Sequence, residues 1–70
     1  MKFPHAASIR GLDKNEPELW LMGVALRPSG SGFMCEAPIG TTRMLRGVVE
    51  ESNIEWLDMP IDGAKEVDDV

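Results

Sequence analysis

Leu19-Trp20-Leu21-Met22-Gly23-Val24-Ala25-Leu26 is the stretch on which the fold turns. Read with the two-residue period of a strand, Leu19, Leu21 and Ala25 point one way while Trp20, Met22, Val24 and Leu26 point the other, so both faces are apolar. A strand buried on both faces belongs in a closed barrel, beneath another element or in a subunit interface. Leu, Met and Ala also suit a helix, which is the competing reading of so short an apolar run. Gly23, β-branched Val24, Trp20 and the flanking Pro17 and Pro28 favour the strand.

Outward from this stretch, turn residues punctuate the chain at Gly11 to Pro17, Pro28 to Gly32, Pro38 to Thr41, Glu51 to Asn53 and Pro60 to Gly63. The segments between them have strand rather than helix length. Pro28-Ser29-Gly30-Ser31-Gly32 reads as a hairpin loop whose two glycines supply positive φ. It returns the chain through Gly32 to Ala37, where Phe33 and Cys35 share a face opposite Met34 and Glu36. Thr42 to Val49 follows, with Arg43, Leu45, Gly47 and Val49 alternating with Met44, Arg46 and Val48. Neither face is cleanly polar, which fits a solvated edge strand with some apolar exposure.

After a turn at Glu50 to Asn53, Ile54 to Met59 forms another strand, ended by Pro60. Ile54, Trp56 and Asp58 lie on one face of it, Glu55, Leu57 and Met59 on the other. His5 to Arg10 can pair as a fifth strand. The expected fold class is therefore mainly β: a small antiparallel meander of four short strands or, with the fifth, an SH3-like or OB-like barrel. Residues 1–59 are expected to form one domain. Residues 60–70 carry too little apolar content to fold alone and read as a flexible acidic tail, a short docked helix being the alternative.

A chain of 70 residues makes one small domain, and at this size folding buries only about 60% of the surface of the unfolded chain. Cys35 is the only cysteine, so no intrachain disulfide can support the core. A tight barrel or self-association remains, with a homodimer through the 19–26 strand as one form. The lone thiol, the start MKFPHAASIRG without a secretory apolar core, and a longest apolar run far short of the ~20 residues of a spanning helix all lead to a cytoplasmic expectation with no membrane contact.

Catalytic constellations are thin. Nucleophilic chemistry needs a nucleophile, a base within reach and a group to orient it. His5 is the only histidine and sits near the N-terminal end, while Cys35 in a strand reads as a small buried apolar residue. One cysteine and one histidine cannot make a structural zinc site. The carboxylates from Asp58 to Asp69 lack calcium-loop spacing, and Gly30 and Gly32 lack the third glycine of a phosphate-binding fingerprint, because Cys35 occupies its place. The expectation is a protein that is not an enzyme and has no cofactor or metal.

Charge is laid down unevenly. Residues 1–49 carry six basic and four acidic side chains, whereas from Glu50 onward eight acidic residues face Lys65 alone, in a chain of net charge −5. Such a balance disfavours nucleic acid, whose phosphates are held largely by Lys and Arg. It suits a protein partner with a basic surface, charge setting rate and orientation while apolar anchors supply affinity. Trp56 with Glu50, Glu51, Glu55 and Asp58 is the candidate contact set, an aromatic anchor in a charged rim, although a core tryptophan closing the sheet fits Trp56 as well. An inhibitor or adaptor of a nucleic-acid-handling machine, of the kind phages and mobile elements encode, is one form such a protein takes. The alternatives are a small barrel that binds nucleic acid or peptide through Arg27, Arg43 and Arg46 with stacking aromatics, or a structural subunit of an assembly.

Overall fold

The computed structural model of the chain describes residues 2–57. They form a single five-stranded antiparallel sheet: β1 (His5–Arg10), β2 (Trp20–Ser29), β3 (Gly32–Ile39), β4 (Arg43–Glu50) and β5 (Ile54–Trp56), in the spatial order β4-β3-β2-β1-β5. One turn of 3₁₀ helix, η1 (Glu51–Asn53), joins β4 to β5. The mainly β expectation holds, the 19–26 stretch is strand rather than helix, and β1 is the fifth strand. β5, expected to run to Met59, ends at Trp56, one residue short of Leu57; Asp58, Met59 and the acidic tail of 60–70 lie outside the described residues.

Chain length forces this sheet to curl. β4 and β5 occupy opposite edges of the order, yet only Glu51, Ser52 and Asn53 separate them. The four peptide steps from Glu50 to Ile54 span at most about 14 Å. Five flat strands would set their outer members about 19 Å apart. The two edges are therefore drawn together at this end, without a β4–β5 ladder: the sheet stays open.

The bend is built into β2. Its first half, Trp20 to Ala25, pairs with β1, and its second half, Val24 to Ser29, pairs with β3, with a bulge between Ala25 and Arg27. At the crossover sits Gly23, where a Cβ would run into the Glu36 carbonyl oxygen and the Ala37 side chain. Only glycine lets the β2 and β3 backbones approach this closely. Both prolines inside strands lie where a ladder has ended: Pro28 is beyond the last β1 pair at Ala25, and Pro38 is beyond the last β3–β2 pair at Glu36. Neither position asks for the missing N–H on that side.

The hairpin between β2 and β3 is tighter than the sequence suggests. Ser29 pairs with Gly32, leaving a two-residue loop in which Gly30 has φ of 61° and Ser31 stays at negative φ. That is the pattern of a type II′ turn. Gly32, expected to supply a second positive φ, instead admits the Val49 carbonyl, which a Cβ would strike.

The inner side of the curl holds Ala7 and Ile9 of β1, Ala25 of β2, Cys35 and Ala37 of β3, Val49 of β4 and Ile54 of β5, all buried. Leu12, from the loop between β1 and β2, is buried among them and packs over Gly47. That loop is shaped by Asp13, whose side chain accepts from the Asn15 amide at 2.9 Å and whose carbonyl accepts from the Glu16 amide. Burial of β2 on both faces, expected from its composition, does not occur: Ala25 is sealed while Trp20 and Met22 face outward and are exposed. β2 is flanked by β1 along Trp20 to Ala25 and by β3 along Val24 to Ser29.

Candidate functional site: the outer side of the sheet

Strand parity decides which residues reach the outer side. Ser8 faces Met22 and Arg10 faces Trp20 across the β1–β2 ladder; Pro38 faces Met44, Glu36 faces Arg46 and Met34 faces Val48 across the β3–β4 ladder. Opposed residues project to one side. This side therefore carries Trp20, Met22, Met44 and Val48, which are 43%, 59%, 58% and 55% exposed. Scattered surface apolar residues need no explanation. Four large ones on the side of the sheet turned away from its core do.

Two polar clasps hold this surface in shape. Arg46 donates from Nε (2.8 Å) and Nη2 (2.5 Å) to one carboxylate oxygen of Glu36, tying β4 to β3. Arg10 donates from Nε (3.2 Å) and Nη2 (3.0 Å) to Asn53 Oδ1, tying β1 to η1, and its guanidinium lies 5.1 Å from the centre of the Trp20 ring. Cation–aromatic stacking of this kind contributes on the order of 0.5–1 kcal/mol at an exposed site and fixes the indole against the sheet. Trp20 is thus exposed and held in place. Glu50 at the end of β4 and Glu55 in β5 add carboxylates that form no ion pair among the described residues.

The residues singled out from sequence separate in space. Trp56 lies opposite Ala7 and points inward with Ile54, whereas Glu55 lies opposite Ser8 and points outward. Trp56 is half-buried in an aromatic cluster, 5.1 Å from Phe33, 5.3 Å from His5 and 6.5 Å from Phe3 between ring centres. Its Nε1–H is directed at Glu51 at 3.4 Å, so among the described residues Glu51 alone of the expected carboxylates meets it. Glu50, Glu51 and Glu55 are all exposed. The arginines separate in part: Arg46, bound to Glu36, and Arg27, opposite Met34 beyond the bulge, have the parity of the outer side, whereas Arg43, opposite Ile39, has that of the inner side.

Compared with protein-family models, with curated proteins and with solved structures, the chain matches none. The reading of this surface therefore rests on its geometry.

Among the described residues no three His, Cys, Asp or Glu side chains come together as a metal site, and no helix is long and apolar enough to cross a membrane. Cys35 is wholly buried, and burial pushes its thiol above the ordinary value. Its Sγ is directed at the Phe33 carbonyl at 3.5 Å. His5 stacks edge-on against Trp56 and donates from Nδ1 to the Ala6 carbonyl at 2.8 Å. Met22, Met44 and Val48 were absent from the contact set expected from sequence, although the signal was there in the apolar residues on both faces of 19–26 and of 42–49.

Proposed function

We propose that this chain is a non-enzymatic protein-binding module that docks through the outer side of its sheet. Its partner presents an apolar patch bordered by Lys and Arg. The observation that carries this reading is the exposure of Trp20, Met22, Met44 and Val48 on one side of the sheet, two of them on each of β2 and β4. Tryptophan, methionine and arginine are enriched at interfaces, and Trp20 held by Arg10 and Arg46 held by Glu36 are ordered before binding, so little entropy is lost in fixing them.

The basic character of the partner follows from the carboxylates at the border. Glu50 and Glu55 lie on the outer side at the two edge strands, Glu51 adjoins Glu50, and Asp58 opens a further acidic stretch in the sequence. Charges of one sign around an apolar centre steer encounter and reject partners of the same sign. Trp56 then acts as the core tryptophan that orients η1 and Glu51. The strand order, with β5 returned beside β1 after a single 3₁₀ turn, supports an SH3-like arrangement of the small barrel. The absence of catalysis is supported by the engagement of Cys35 and His5 in packing.

A displayed peptide library selected on the immobilised full chain tests this. The expected ligands combine aromatic or aliphatic residues with Lys or Arg, bind more weakly as salt rises, and are lost with Met22→Ser/Met44→Ser. Ligands without basic residues, or binding that survives the double substitution, overturn the reading.

A further inference from the structure

The edge of β4 is a second interaction surface, made by its backbone, and it shares Met44, Arg46, Val48 and Glu50 with the outer side. β4 has β3 on one side and no neighbour among the described residues on the other, so eight residues, Arg43 to Glu50, present one side of their backbone unpaired. Exposed edges are normally blunted by shortness, proline, a bulge or a covering element. β5, the other edge, is three residues long. β4 is long, contains no proline, has no covering element among the described residues, and its ladder to β3 runs through eight consecutive pairs without a register shift, so the charges of Arg43, Arg46 and Glu50 are what guards this edge.

We propose that β4 pairs antiparallel with β4 of a second copy of this chain, about a two-fold axis at Gly47, to make one continuous sheet. Parity restricts the registers, because residues facing each other across a ladder must lie on the same side, and the inner side of β4 carries Leu45, Gly47 and Val49 while the outer side carries Met44, Arg46, Val48 and Glu50. Centring the axis on Arg46 sets two guanidinium groups directly opposite each other, which is repulsive. Centring it on Val48 pairs only Arg46 to Glu50 and sends the rest of β4 against η1, where strand geometry has ended.

Centring on Gly47 pairs Met44 through Glu50 with their symmetry equivalents. Leu45 then faces Val49 of the second copy, Met44 faces Glu50, Arg46 faces Val48, and the two side chains that would crowd the axis are hydrogens. On the outer side Arg46 lies diagonal both to Glu50 of the second copy, within reach of a long side chain, and to its Arg46, whose charge is balanced by the Glu36 that each Arg46 binds. Beyond the strand end, Arg43 approaches Glu51. The two-fold axis repeats the contact, so Arg43 and Glu51 of opposite copies meet once at each end of the interface.

Two double-cysteine chains distinguish the registers. Directly opposed strand positions have Cα separations that a disulfide can bridge. Met44→Cys/Glu50→Cys is expected to give a covalent dimer on mild oxidation, whereas Met44→Cys/Val48→Cys, which reports the axis at Arg46, stays monomeric under denaturing electrophoresis. Sedimentation of the unmodified full chain is expected to show a concentration-dependent dimer. Glu50→Lys, an exposed change whose fold is checked by circular dichroism, weakens it by about tenfold. A monomer at every concentration, a 44–48 cross-link in place of 44–50, or a dimer indifferent to Glu50→Lys overturns the proposal.

Discussion

The two sides of this sheet allot their residues in opposite ways. The inner side packs Ile9, Leu12, Val49 and Ile54 among the smaller Ala7, Ala25, Cys35 and Ala37, all buried, with Leu21, Phe33, Leu45 and Trp56 partly buried against them. The outer side carries Trp20, Met22, Met44 and Val48, none of which the core needs. The curl explains the inside, since drawing β4 and β5 together closes these side chains against one another and away from water. It does not explain the outside. Large apolar residues kept where folding gains little from them are most simply assigned to a partner.

The sharpest way to break this comparison is to remove the bend. Gly23→Val places a branched side chain against the Glu36 carbonyl and Ala37, which belong to backbone and core and cannot move aside. The expected cost exceeds about 3 kcal/mol, enough to abolish cooperative unfolding in a domain this small, as thermal denaturation followed by circular dichroism would show. If Gly23→Val folds normally, the curl is not set at β2.

A smaller effect is expected inside the bend itself. Ile9→Ala empties the largest fully buried aliphatic site and should cost about 3 kcal/mol, read from the urea midpoint at unchanged slope. Cys35 reports the same interior through pH. Its thiol is raised by burial above 9.0, so the folded state holds its proton where the unfolded state has released it. Stability is thus level with respect to this group below about pH 9 and falls as pH rises above that, a slope that Cys35→Ala should remove from urea midpoints measured across the range.

The outer side should give the smallest change in stability and the largest in binding. Met22→Ser/Met44→Ser removes two exposed side chains and should shift stability by no more than about 0.5 kcal/mol per site, while peptide affinity is lost. A large destabilisation would mean that these methionines belong to the fold, and the contrast between the two sides would fail.

Much of this was legible in the chain. His5–Arg10 matches the expected fifth strand residue for residue, β3 alternates as read, and the edge position of β4 follows from a strand with neither face cleanly polar. The partial miss on β2 is instructive: apolar residues on both faces were read as burial on both, when one face is open. Trp56 shows the converse. Its carboxylate neighbours in sequence suggested a rim anchor, but alternation sends Glu55 to the opposite side and leaves Trp56 among Phe3, His5 and Phe33.

What the sequence determined by itself is therefore local: which segments are strands and which residues share a face, because a two-residue period acts over a few residues, whereas β2 and β3 run on through Pro28 and Pro38, which the sequence marks as turn residues. Which face became the inside was decided only by the tertiary structure. Alternation is symmetric between the two sides of a strand, and the choice fell to the curl that brings β4 and β5 together across three residues and to the close approach of β2 and β3 at Gly23. Both are contacts between segments far apart in the chain, and no local pattern encodes them.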